Sequence, residues 1–180
     1  MTPSQLTTLK AAIQAETDPV FVSYRNQGST GLMAEWFNSA STFVVWRSTT
    51  PTSEIANAIA WANLTPADTP DGTQLWENRA LACQGKQFNI QTLFLAAAGF
   101  TASGLSNVRQ GWNDSLTNIP AGVGGALLSA GWAAVRTAMQ RNATKGEKVF
   151  ATGTGTAGTP GTLGFEGSVA DYDVVQALAS

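Results

Sequence analysis

Three stretches of the chain carry residue types whose spacing could do chemistry. Gly153-Thr-Gly155-Thr-Ala-Gly158 has the G-x-G-x-x-G spacing that cradles a dinucleotide pyrophosphate. That motif works only when a strand enters it and a helix leaves it, aiming amide groups at the phosphates. Here a helix-prone run precedes it and Pro160 follows, so it reads as a Gly/Thr-rich segment and no cofactor is expected. Asp68 and Asp71 share the loop Thr65–Gly72. Two carboxylates without regular ligand spacing fall short of a calcium loop, so a solvated turn is expected and no metal. Arg136, Arg141, Lys145 and Lys148 form the densest positive cluster. It reads as a dipole-favoured helix end, a partner-facing surface or a phosphate contact, with Glu147 inside the run weighing against DNA.

The chain has no His, which removes the usual general base, the commonest metal ligand and the usual pH switch. A Ser or Thr nucleophile would need Lys as its base. Lys145 and Lys148 read more simply as helix-end cations, and Cys83, on an apolar helical face, as a small core residue. No catalytic residue is expected, and the chain reads as a non-enzyme.

Those groups must be positioned by helices. Thr2-Pro3-Ser4-Gln5 resembles a capping box with Pro at the first helical position, and Leu6, Leu9 and Ile13 continue at helical spacing until Asp18-Pro19 stops the run. Leu32, Met33, Trp36 and Phe37 predict a helix over 30–40. Phe43-Val44-Val45-Trp46 is β-prone but short. A helix is expected from Pro51, with Ile55, Ala58, Ile59 and Ala62 on one face. Leu75 to Gln84 predicts a helix that breaks at Gly85, and Phe88, Ile90, Leu93, Phe94, Leu95 and Ala98 a further one to Gly99. Val108, Trp112 and Leu116 mark a helix ending before Pro120. Gly122 to Phe150 is the longest helical candidate, weakened in its first half by Gly124, Gly125 and Gly131. The expected fold is mainly α, a multi-helix bundle of about five to six helices over 1–150, with an extended Gly/Thr-rich C-terminal arm over 151–180.

Length fits one domain with an appendage. With 43% hydrophobic and 12% charged residues, the chain can build a core but leaves a weakly charged surface suited to partners. Most of the six Trp are expected in the core, with Trp46 a candidate interface anchor. A net charge of −2 gives no bulk attraction to nucleic acid. The single Cys excludes an internal disulfide and fits a reducing compartment. No run is long enough to span a membrane and no signal-peptide pattern opens the chain, so a soluble cytosolic product is expected.

The segment after Ala151 contains no Lys or Arg, six Gly between 153 and 167, and Thr at 152, 154, 156, 159 and 162. Ordering so many glycines costs entropy. Leu163, Phe165, Val169, Tyr172 and Val175 nevertheless read as anchors for another surface. We therefore expect partner contacts at Leu163, Phe165, Tyr172 and Val175, and secondarily at Arg136, Arg141, Lys145 and Lys148.

The opening Met1-Thr-Pro-Ser-Gln-Leu-Thr-Thr-Leu-Lys-Ala-Ala-Ile, Val45-Trp46-Arg47-Ser48-Thr49, Asn107-Val108-Arg109, Ala143-Thr-Lys-Gly-Glu-Lys-Val-Phe-Ala-Thr-Gly-Thr-Gly and Gly164-Phe-Glu-Gly167 resemble a family of tailed-bacteriophage virion proteins. The string from Glu147 to Gly155 is the most specific part. The resemblance brings no catalytic residues. With the helical character and the arm, the chain is similar to head–tail adaptors, which form a ring beneath the portal, commonly twelvefold. It implies as partners the portal protein, tail (nozzle or stopper) proteins and copies of itself, a place at the head–tail interface of the virion, and assembly in the host cytoplasm. A DNA-contacting packaging or head-completion factor, with non-specific contact to packaged DNA, and a head decoration protein are the alternatives.

Overall fold

The computed structural model describes residues 1–65, 74–120 and 127–180. In chain order these form α1 (Pro3–Ala15), α2 (Pro19–Asn26), α3 (Thr30–Asn38), β1 (Ala40–Trp46), β2 (Thr50–Pro51), α4 (Thr52–Ala58), a 3-10 turn (Trp61–Leu64), α5 (Gln74–Ala96), β3 (Phe100–Thr101), α6 (Ser106–Leu116), β4 (Ile119–Pro120), β5 (Leu127–Leu128), α7 (Trp132–Ala138), β6 (Gln140–Thr144), α8 (Lys145–Phe150) and α9 (Asp171–Ala179). Helix dominates, and the strands pair into small two-stranded sheets, β1 with β6, β2 with β3 and β4 with β5. The architecture is therefore mixed α/β with much helix: the helical character expected from apolar periodicity is present, and small sheets stand beside it.

The chain divides into two compact units, residues 1–46 with 141–180, and residues 47–140. This corrects the expected boundary at 150. The terminal segment belongs to the first unit, together with the N-terminal helices.

In the first unit, Thr2 caps α1 through a reciprocal box with Gln5, and Asp18 caps α2 by accepting the amides of Val20 and Phe21. Asp18-Pro19 thus ends one helix and starts the next. Phe21, Trp36 and Phe37 pack edge-on or tilted, with ring centroids 4.6–5.3 Å apart, a geometry that suits their quadrupoles. Leu9, Ile13, Met33 and Phe37 form one core with Val169, Val174 and Ala177. Leu32, expected inward, is exposed.

The extended arm is corrected here. α9 packs on α1 and α3, because Val174 and Ala177 supply an apolar face at helical spacing. Its N-terminus is held by Asp173, which accepts the Ala170 amide at 2.9 Å and the Met1 ammonium at 3.2 Å. Asn38 exchanges two 2.8 Å hydrogen bonds with the Val169 backbone. The Gly/Thr-rich stretch is hydrogen-bonded too. Thr152 and Thr162 exchange both backbone bonds at 2.9 Å, and Val44 donates to Gly155 and accepts from Gly161 at 2.8 Å. Gly155, in the left-handed region at φ +66°, and Gly161 both lie against the ring of Phe43, where an added Cβ would overlap ring carbons. Two of the glycines thus let the chain approach an aromatic closely.

In the second unit, Trp112, Leu116, Ile119, Ile55, Val135 and Met139 are buried, with Cys83 and Ile90 from α5. Phe94 meets Trp112 edge-on at 5.0 Å. Gly85 does not break α5, which runs through it as one helix; a solvent-facing glycine costs only about 1 kcal/mol relative to Ala. Over the described residues 127–150, β5, α7, β6 and α8 stand where one long helix was expected from 122 to 150. Gln140–Thr144 extends to pair with β1, and Thr144 then restarts the helix with its own capping box. Asp68, Asp71, Gly124 and Gly125 lie outside the described residues.

Candidate functional site

The string Ala143–Gly155 builds a site in the first unit from its own local chemistry. Thr144 accepts the Glu147 amide at 3.1 Å, and the Glu147 carboxylate accepts the Thr144 amide at 2.9 Å. This box opens α8 at Lys145. Glu147 is only 3% exposed, so its charge needs partners. Arg141 supplies a two-pronged pair at 2.6 and 2.8 Å, and Gly167 donates its amide at 3.3 Å. Burial pushes the Glu147 carboxyl up, but the hydrogen bonds from Arg141, Thr144 and Gly167 more than offset this and hold it below its ordinary value. Arg141 also donates to Glu166 at 3.0 Å, and its pKa is raised, chiefly by the bond to Glu147. Arg141 is thus a clamp between β6, α8 and the segment after it.

Beside this clamp is a groove of about 470 Å³. It is lined by Glu16 and Asp18 at the α1–α2 junction, Lys145 and Lys148 on α8, Trp36 and the start of β1. Each element has a reason to present these groups. Glu16 accepts the Thr17 and Asp18 amides at 2.9 Å, and Asp18 caps α2, so both carboxylates are fixed by backbone donors. The Lys145 ammonium sits 3.8 Å over the Trp36 ring, a cation–π contact. Lys148 is exposed on the same short helix. Such a groove suits an extended segment carrying charges of both signs, with an aromatic surface for its stem.

The expected partner residues are not brought together. Leu163 and Phe165 are half-buried, and Phe165 packs on Phe150 with centroids 5.3 Å apart, so Phe165 serves the unit's own packing. Tyr172 and Val175 are exposed on α9, where Leu178 extends them into an apolar strip at three-residue spacing. Of the basic cluster, Arg136 is half-buried on α7 in the second unit, while Arg141 is neutralised by Glu147 and Glu166. Lys145 and Lys148 alone face the groove. Sequence reading missed Glu16, Asp18 and Trp36 as further lining of the groove, and Leu178 in the strip; Asp18-Pro19 read as a helix stop, which gave no sign that Asp18 caps α2 and lines the groove.

Among the described residues, no group of three or more His, Cys, Asp or Glu is arranged to hold a metal ion, and no helix is long and apolar enough to cross a membrane. Comparison with family models, curated proteins and solved structures finds no match for the chain.

Proposed function

We propose that the chain is a structural component of a tailed-phage particle, a head–tail adaptor that binds the portal as a ring of copies and connects it to the tail. The reading is carried by the chain-long resemblance, above all the string Glu147–Gly155. Within that string Glu147 closes the α8 capping box and takes the Arg141 pair, and Lys148 and Val149 line the groove. Two surfaces of the first unit are offered to partners: the mixed-charge groove at Lys145, Lys148, Glu16 and Asp18, and the Tyr172–Val175–Leu178 strip. Both suit docking of another protein's segment. The DNA-contacting alternative draws less support, because Arg141 is already paired with two carboxylates.

The test is co-expression with the portal protein of a tailed phage whose genome encodes this chain. A co-purifying complex with many copies of the chain per portal ring, lost on Lys145→Glu with Lys148→Glu or on Tyr172→Asp with Val175→Asp, is the expected result. Absence of the protein from purified particles, together with no portal complex, would overturn the reading.

A further inference from the structure

α5 carries an apolar line that is exposed among the described residues. Leu81, Phe88 and Leu95 recur every seven residues, so at about 100° per residue they fall within roughly 40° of one another. They are 64%, 68% and 76% exposed. On the other face, Cys83 and Ile90 alone among the described side chains of the helix are fully buried. A helix of 23 residues draws most of its stability from a packed face, and here a second apolar face is exposed among the described residues. Trp61, 51% exposed and stacked on Phe94 at 6.4 Å, borders a depression of about 380 Å³ that includes Ile90 and Leu95. The charges of α5 are Glu77, Arg79 and Lys86. Arg79 and Lys86 each lie two residues, about 200°, from a residue of the line, and Lys86 bonds the Asp114 carbonyl. The line itself is uncharged from Leu81 to Leu95.

We infer that this line is a self-association surface on which a second copy lays its own α5 antiparallel, about a two-fold axis at Phe88. Leu81 then meets Leu95 of the second copy, the two Phe88 rings meet each other, and Gln84 falls beside Gln91 of the second copy, where the amides pair. A parallel arrangement would instead set Glu77 against its own equivalent, a like-charge contact that disfavours it. Taking roughly 200 Å² for a fully exposed large side chain, Trp61, Leu81, Phe88 and Leu95 offer about 500 Å² of apolar surface per copy. That is the apolar core of an interface near the standard ~800 Å² per partner, with Gln84, Gln91 and Thr92 as its polar rim. A two-fold contact is distinct from the head-to-tail contact a ring requires, so this inference stands or falls independently of the virion reading.

Sedimentation equilibrium of the full chain over a range of concentrations tests it. A reversible monomer–dimer equilibrium is expected, weakened at least tenfold by Phe88→Glu and by Leu81→Glu, with the circular dichroism spectrum unchanged. Orientation is read by a short bismaleimide. Cys83 is buried and its pKa is raised by burial, so the native chain should be unreactive. Phe88→Cys should cross-link to itself, Leu81→Cys should not, and a mixture of Leu81→Cys with Leu95→Cys should cross-link. A monomer at all concentrations, a dimer indifferent to both glutamates, or Leu81→Cys linking to itself as readily as Phe88→Cys would overturn the inference.

Discussion

Arg141 grips the buried carboxylate of Glu147 with two hydrogen bonds of 2.6 and 2.8 Å, and the same carboxylate caps the helix that begins at Lys145. One ion pair thus fixes a helix start, a strand end and the chain at Gly167. Removing Glu147 leaves the Arg141 guanidinium with Glu166 and the Asn142 carbonyl, and takes the acceptor from the Thr144 and Gly167 amides. Glu147→Ala should therefore cost about 2–4 kcal/mol of unfolding free energy, measured by urea denaturation. Arg141→Lys should cost less, because it keeps the charge but not the fork. A loss under 0.5 kcal/mol for Glu147→Ala, well below what leaving a buried pair broken implies, would show that the pair is dispensable.

The same pair sets an acid limit. The Glu147 carboxyl titrates below its ordinary value in the folded chain, while in the unfolded chain it titrates near 4.3. The folded state therefore binds fewer protons, and its stability rises with pH through this window. The contribution is complete above the unfolded value and is lost as pH falls from about 5 through the lower folded value. A pH series of melting temperatures should show this slope in the native chain and a flatter one in Glu147→Gln.

Gly155 and Gly161 both lie against the ring of Phe43. Gly155→Ala should destabilise by roughly 2–4 kcal/mol, from overpacking together with the left-handed backbone. Gly161→Ala should show the overpacking part, about 1–3 kcal/mol. Phe43→Ala should cost stability alone yet relieve the overpacking part of the Gly155→Ala defect, where the nearest atoms are all of the Phe43 ring, a coupling that a double-mutant cycle reads. Additive losses would remove Phe43 as the cause.

Truncation separates a free arm from an integrated one. Deleting 171–180 takes Val174 and Ala177 out of the core and releases the Met1–Asp173 pair. Several kcal/mol of burial is lost, and the first unit should unfold or become protease-sensitive. Tyr172→Asp and Val175→Asp, at exposed positions, should leave melting within about 0.5 kcal/mol of the native chain. A stable, protease-resistant truncation would restore the arm.

Much of the helical part was legible in the residues. The Thr2–Gln5 box, Asp18-Pro19, and the four-residue spacing of Trp112 and Leu116 each act within one or two turns, and the structure shows each of them. The terminal helix was missed because Val174 and Ala177 are a short apolar face next to a glycine-rich stretch, and short faces are ambiguous until something packs on them.

What the chain determined by itself were the interactions closed within a few residues: caps, turns and amphipathic faces, whose partners are set by covalent spacing. Tertiary structure alone decided the rest. Gln140–Thr144 is a strand because β1 offers its edge, and Phe88 and Leu95 face outward because Ile90 and Phe94 take the inner side of α5. Glu16 and Lys148 line one groove because α1 and α8 pack in one unit. Each of these depends on groups far apart in sequence, and their pairing is fixed only when burial selects which surfaces meet.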